Sequence, residues 1–428
     1  MLFDRLVMAA VVAAAAAQAA PDPSFGPTLE LDELVTAVLA RNPGLQAREA
    51  TVRAAQARVE QATALDDPTA AAMLAPLSLG GGAPLGYEVR ASQRFPYPGK
   101  RGLRGEVARQ EVTAAGEELQ AARLELADRT AELYADYYLN AREQEVNAEH
   151  LTLLDALKRV ATARYAAGLV PQQAPVQAEV EAARMLHHEI ELRAGGREIV
   201  ARLDALLHRA TDAPLPPPPA ALPAPGGAVM EHGAAHAEAV GERPELLAQR
   251  AAIASREAEL ELARRSRRPD FEAMAGYSSM WDTPEHRFTV GVGVGLPIRR
   301  ARIRAEVAAA QARLDEANAE LERLGDELRA EALAAVAHRE EMAHLLELYR
   351  DRVLPAARDQ VAAARASFES GGESMLGLIE AERSLRDAQL QYHEAEAGLL
   401  RAQAAAARAL GELPGQPMSA AASPPGRE

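Results

Sequence analysis

Histidine and methionine are the residues whose spacing in this chain could do chemistry, and they gather in two places. Met185, His187 and His188 share one helical turn, with Met185 and His188 three apart. The stretch MEHGAAH sets His232 and His236 four apart beside Met230. Thioether and imidazole so placed could touch a soft or borderline cation in passing. Isolated surface histidines are the commoner outcome, so no resident metal and no cofactor are expected. The chain carries no nucleophile elbow, phosphate loop or paired His/Glu zinc signature, and it reads as a non-enzyme. It has no cysteine, which excludes disulfides and thiolate chemistry and predicts no acylated N-terminal cysteine.

Composition favours long helices over a thick core. Of 428 residues only 4% are aromatic, 25% are charged, and alanine makes up much of the apolar share. A net charge of −15 argues against nucleic acid as a partner, because phosphate needs the opposite sign. Residues 1–19 hold Arg5, an Ala/Val-rich run and small residues at the end, the pattern of a secretory signal peptide. The run is too short for a membrane anchor, and no later segment approaches ~20 consecutive apolar residues.

A duplication organises the rest. Residues 41–73 lie over 242–274, with Pro43, Pro68 and Met73 matching Pro244, Pro269 and Met274. QRFPYPGKRGLRGEVARQ (93–110) lies over VGLPIRRARIRAEVAAAQ, Pro96 on Pro297. The heptad row Val112, Leu119, Leu126 recurs as Leu314, Leu321, Leu328, and Tyr165 and Gly168 recur as Phe368 and Gly371. The division predicted is a signal peptide at 1–19, a first repeat at 20–210, a Pro-rich connector without a core at 211–232, a second repeat at 233–413 and a disordered tail at 414–428.

Inside each repeat the pattern changes period. Leu85, Tyr87, Val89, Ala91 and Phe95 alternate with Glu88, Arg90, Ser92 and Arg94, and 288–296 alternate apolar residues with Thr289, Gly291, Gly293 and Gly295. Hairpins are therefore expected at 69–95 and 270–296, with strands 69–79, 85–95, 270–281 and 286–296. The remainder reads as helix: an N-terminal helix over 28–62, helical hairpins over 99–210 and 299–413, and a helix from about 233 to 265. The first hairpin opens with a proline-free run of about 98 Å.

Strands of about ten residues with one apolar and one small or polar face suit a bilayer-spanning barrel. Four strands cannot close in lipid, where open edges are not tolerated. Three copies would give twelve strands, and the glycine-lined face of 289–295 favours the bore that twelve would leave. The fold class expected is thus a transmembrane β-barrel joined to a long α-helical barrel, built from two tandem repeats. Between them, Phe95 and Tyr97 suit the membrane boundary, and Pro96 and Pro98 end the strand. Gly99, Gly102 and Gly105 would let helices approach. Lys100, Arg101 and Arg104 oppose the helix dipole, so lipid phosphate or acidic neighbours should hold them.

The duplication, the FPYPGKRGLR joint and the turns RYAAGLVPQQAPVQA and SFESGGESMLGLIEA together resemble the TolC-like outer membrane efflux protein family, over nearly the whole chain after residue 19. The joint is most similar to members that serve heavy-metal and drug efflux. The resemblance implies a homotrimeric exit duct in the outer membrane of a Gram-negative bacterium, reaching through the periplasm. Its implied partners are outer membrane lipid, a periplasmic adaptor and an inner-membrane pump of the resistance-nodulation-division type. A type I protein-secretion duct is the alternative within the class, and a periplasmic coiled-coil scaffold the alternative outside it. The implied docking tips are Tyr165, Gly168, Leu169, Val170, Phe368 and Gly371, and the implied joint is Phe95 to Arg101 with Pro297. Where family members often carry Asp after the tip glycine this chain has Ala174 and Gly377. A periplasmic constriction would then fall to Gln177 and Glu380, with Glu380 the sole carboxylate.

Overall fold

The computed structural model describes residues 25–75, 86–211, 213–222, 239–281, 283–370 and 374–414. The signal peptide, His232, His236, Gly371, much of the connector and nearly all of the expected tail lie outside these residues. The helices are α1 Leu31–Arg41, α2 Pro43–Thr63, α3 Lys100–Ala166, α4 Gln173–Leu206, α5 Pro244–Arg265, α6 Arg300–Leu348, α7 Leu354–Ser370 and α8 Met375–Ala409. The strands are β1 Thr69–Leu74, β2 Tyr87–Phe95, β3 Asp270–Ser278 and β4 Phe288–Gly295. No helix among the described residues is long and apolar enough to cross a membrane.

The chain divides into two compact units that do not follow the sequence repeats. One comprises 47–121 and 241–328, the other 1–46, 122–240 and 329–428. Each unit therefore draws on both copies.

The unit of 47–121 and 241–328 contains a single antiparallel sheet of order β1-β2-β3-β4. Ala91 stands opposite Ala275, which stands opposite Val290. A side-chain period of two then assigns every residue to a face. Leu260 and Ala263 of α5 form a small core with Ala310 of α6, flanked by Val307 and by Leu314 of the second heptad row.

The other unit is helical. Leu29, Leu34 and Val38 pack on Leu133, Tyr134, Leu203 and Leu207. Tyr134 donates its hydroxyl proton to the carbonyl of Leu29 at 2.9 Å, so the buried phenol is satisfied. The Pro-rich connector lies against this core over its described part. Leu215 and Leu222 pack on this core, Leu29 N–H donates to the Pro217 carbonyl, and Tyr137 donates to that of Pro216. Carbonyls of a Pro-rich segment lack a regular N–H ladder, and neighbouring backbone and side-chain donors use them.

Two helices differ from expectation. The N-terminal helix breaks at Asn42, whose extended backbone (ψ 122°) precedes Pro43. Proline disfavours helical backbone in the residue before it and starts a new helix well. The second long helix is interrupted by a π-helical turn, Tyr349–Val353. Pro355 lacks the N–H that would reach Asp351, and the widened turn absorbs the missing bond. The first copy has no proline there, and α3 runs through 67 residues, about 100 Å.

Candidate functional site

The sheet has two chemically opposite faces. Tyr87, Val89, Ala91 and Phe95 lie beside Tyr277, Ala275 and Phe271, and beyond these come Phe288, Val290, Val292 and Val294. This face is uncovered: Val290 is 90% exposed, and Phe288 and Val292 nearly as much. The other face carries Glu88, Arg90, Ser92, Arg94, Glu272, Thr289 and the β4 glycines. On it Arg90 pairs with Glu88 at 2.7 Å and Thr69 shares a hydrogen bond with Ser92 at 2.8 Å. Aromatic rings gather at both ends of the apolar face. Tyr277 meets Tyr87 at 5.8 Å and Phe288 at 5.2 Å between ring centres, and Phe95 stands opposite Phe271 at the other end.

The first strand-to-helix joint is locked by Asp270. Its Oδ1 accepts from the Tyr97 backbone N–H and from Lys100 Nζ, each at 2.8 Å. Lys100 also donates to the Arg268 carbonyl, and its residue is only 7% exposed. An acidic neighbour, not lipid phosphate, therefore holds Lys100. Arg101 donates through Nε and Nη2 to the Thr63 carbonyl, closing the end of α2. Gly99 has φ +90°, the left-handed region that favours glycine, and a Cβ there would displace the flexible end of Arg265, 1.9 Å away. Gly105 lies close to Thr63, whereas a Cβ at Gly102 meets nothing within 4 Å, which corrects the expectation of a close approach there within the chain. Phe95, Pro96, Tyr97, Pro98, Gly99, Arg101 and Phe271 surround a cavity of about 430 Å³. Pro297 occupies the second joint, between exposed Leu296 and Ile298.

In the helical unit α3 ends in a Schellman turn. Gly168 adopts φ +70°, its N–H donates to the Tyr165 carbonyl, and the Leu169 N–H donates to that of Arg164. Tyr165 is exposed and Leu169 is 73% exposed. Val170 instead packs on a core of Leu157, Ala161, Ala174, Ala178, Met375, Leu378 and Ile379. Phe368 is corrected as a presented docking residue: it belongs to that core, with the Arg164 guanidinium 4.3 Å from its ring centre. Ala174 is part of the same core, and Gly377 donates its N–H to the Ser374 hydroxyl that caps α8.

Of the expected constriction pair, Gln177 is half-buried and Glu380 is exposed. The carboxylates that the fold buries near these positions are Glu181, one turn beyond Gln177, and Glu382, two residues beyond Glu380 and paired with Arg365 at 3.2 Å. Arg383 of α8 holds Glu181 with two hydrogen bonds, Nε at 2.8 Å, and these keep its pKa below the usual carboxylate range despite burial. Glu181 and Arg383 lie 202 residues apart, one in each copy, and the contact is made by the packing of α4 on α8. Beside them His150 is buried with Nε2 unpartnered, and burial, with help from Arg386, lowers its pKa to about 4. The Met185 and His188 pairing does not form. Met185 packs with Leu154 and Ala182, whereas His187 and His188 both face Glu191. Among the described residues no group of three His, Asp or Glu could hold a metal.

The model of the outer membrane efflux protein family matches residues 236–412. That stretch is similar to an outer membrane efflux protein domain. Three solved structures resemble almost the whole chain. CusC aligns with a TM-score of 0.77 at 18% identity, covering 93% of this chain and 95% of its own. VceC of Vibrio cholerae aligns at 0.76 and 21%, covering 89% and 96%. A membrane protein from Pseudomonas aeruginosa aligns at 0.77 and 20%, covering 89% and 90%. At such identities the likeness establishes the fold: long helices with a small four-stranded sheet, the architecture of outer membrane efflux proteins, extends across both copies. No protein of curated function matches the sequence.

Proposed function

We propose that this protein is the outer membrane exit channel of a tripartite efflux system, formed by three copies whose sheets close a twelve-stranded barrel. The observation that carries this reading is the uncovered apolar face of a four-stranded sheet in which, among the described residues, β1 and β4 form open edges. Lipid is the solvent that suits such a face, but lipid does not tolerate free backbone donors and acceptors at β1 and β4. Copies joined edge to edge remove both problems. The polar, glycine-rich face then lines the bore. The domain at 236–412 and the fold shared with CusC and VceC support efflux as the process. The reading needs no catalysis.

Tyr165, Gly168 and Leu169 would receive a periplasmic adaptor, because the Schellman turn presents backbone and an apolar side chain together. Gln177 and Glu380 would face the duct, with Glu181 and Arg383 fixing the helices that carry them. The pump across the inner membrane would choose the cargo. Cross-linking in native outer membranes should give a ladder that ends at three copies, and expression should restore efflux to a strain lacking its own exit channel. A ladder ending at two, or a chain recovered from the soluble periplasm, would overturn the reading.

A further inference from the structure

We propose that the helix-side end of the sheet carries a binding notch for one anionic glycerophospholipid, whose phosphate meets Arg101 and Arg268 while an acyl chain crosses Phe95 and Phe271. The inference rests on the membrane placement proposed above and adds a defined ligand site to it.

Three segments meet at this end of the sheet: the exit of β2, the entry of β3 and the exit of β4, with Phe95 opposite Phe271 and Asp270 opposite Gly295. Residues 94–104, 264–268 and 297–304 each carry four cations and no carboxylate, in a chain of net charge −15. Asp270 holds Lys100, and Glu261 pairs with Arg264 and Arg265; the other cations, concentrated against that balance, call for an anionic partner. Arg268, Arg299, Arg300, Arg302 and Arg304 are exposed.

The cavity of about 430 Å³ gives this charge a shape. Phe95 and Phe271 form its apolar wall and belong to the uncovered face of the sheet. Arg101 forms its polar rim, steadied at Thr63 by two hydrogen bonds of 3.0 and 2.6 Å. The Arg268 guanidinium lies 5.7 Å from the ring centre of Tyr97, which also lines the cavity. Pro96 and Pro98 stiffen the floor, and the Asp270 lock fixes it to β3. Planar guanidinium groups recognise phosphate oxygens well. A free phosphate would leave the aromatic wall unused, and a neutral lipid would leave the cations unused. A phosphate joined to an acyl chain uses both.

The test uses the full chain purified from outer membranes, with native mass spectrometry during titration by phosphatidylglycerol and, separately, phosphatidylcholine. Phosphatidylglycerol should be retained at least fivefold more than phosphatidylcholine. The double variant Arg101→Gln/Arg268→Gln should abolish that preference, and Arg323→Gln, on the exposed surface of α6, should leave it intact. Because Arg101 also closes α2, Arg268→Gln alone and Phe95→Ala supply independent arms, each expected to lower retention at least threefold. Equal retention of the two lipids, unchanged retention in all three notch variants, or displacement by equimolar inorganic phosphate would overturn the proposal. Heat-modifiable migration of the same samples separates the two readings. An assembled barrel without lipid preference removes the notch alone, whereas no barrel removes the channel and the notch together.

Discussion

The two copies of the repeat reach similar folds with different chemistry. In the first joint Lys100 is buried against Asp270, which belongs to the second copy. The reciprocal pair is missing, because the positions 201 residues away are Ala301 and Thr69. The first joint is therefore an ion-paired lock, and the second is open and basic. The helices that follow differ as well. The first copy runs without interruption through α3, while the second relaxes into a π turn ahead of Pro355. Duplication preserved the periodicity that makes elements, and single side chains then assigned structural work to one copy.

Four tests, made with seven substitutions, probe how deep that difference goes. The largest effect is expected where the apolar face is purest, on β4 of the second copy. Val292→Arg puts a charge on that face at a cost of about 2–4 kcal/mol near a bilayer midplane, and heat-modifiable barrel should disappear from the outer membrane. Gly293→Ser faces the other way, and its Cβ would press only on the flexible end of Met274, 3.2 Å away, so barrel yield should stay near wild type. Equal outcomes at the two sites would show the register of β4 to be wrong.

Next comes the lock. Asp270→Asn leaves the buried Lys100 ammonium without its counter-charge. Stripping one partner from a buried pair costs about 3–5 kcal/mol, less here because the Asp270 side chain is about a third exposed. Ala301→Lys, which imitates Lys100 in the second joint without a partner, should change stability by less than about 0.5 kcal/mol. Denaturant midpoints in detergent measure both, and comparable losses would mean that the joints are equivalent after all.

The glycines of the first joint give a smaller contrast. Gly99→Ala meets both a positive φ and the Arg265 guanidinium and should cost about 1–3 kcal/mol. Gly102→Ala sits in open space within α3 and should gain about 0.5–1 kcal/mol of helix stability, unless a neighbouring copy fills that space. Thermal midpoints of the two variants moving in the same direction would contradict the local geometry.

The smallest effect concerns pH. His150 is buried in α3, whereas the stretch about 202 residues on is the exposed π turn. Its pKa falls from the ordinary 6.5 to about 4, so between these values the unfolded chain binds the proton and the folded one does not. Its contribution is full above pH 6.5 and declines as pH falls toward 4. His150→Asn should flatten the stability profile in that window. A profile as steep as wild type would remove His150 as its source.

Much of the fold was legible in the sequence because period and punctuation are local properties. Alternation at 288–296 and the proline-free run after Gly99 specify a strand and a helix whatever surrounds them. Pro43 and Pro355 were equally visible, yet their effect depends on whether the chain restarts a helix, as at Asn42, or widens a turn, as at Tyr349–Val353. Sites were less legible. Glu380 is the carboxylate that the second turn offers in sequence, but the buried ones are Glu181 and Glu382. Phe368 aligned with Tyr165, yet one is covered by neighbouring helices and the other is exposed.

By itself the sequence determined the duplication, the strand faces, the long helices and the glycine at each tight turn. Each follows from side-chain spacing along one element or from the φ a residue can adopt. Only the tertiary structure decided that Lys100 meets Asp270 across 170 residues, that Arg383 meets Glu181 across 202, and that the compact units cut across the repeats. Those outcomes depend on which elements pack together. A charge cannot signal in its own sequence neighbourhood which distant group will neutralise it once water has been excluded.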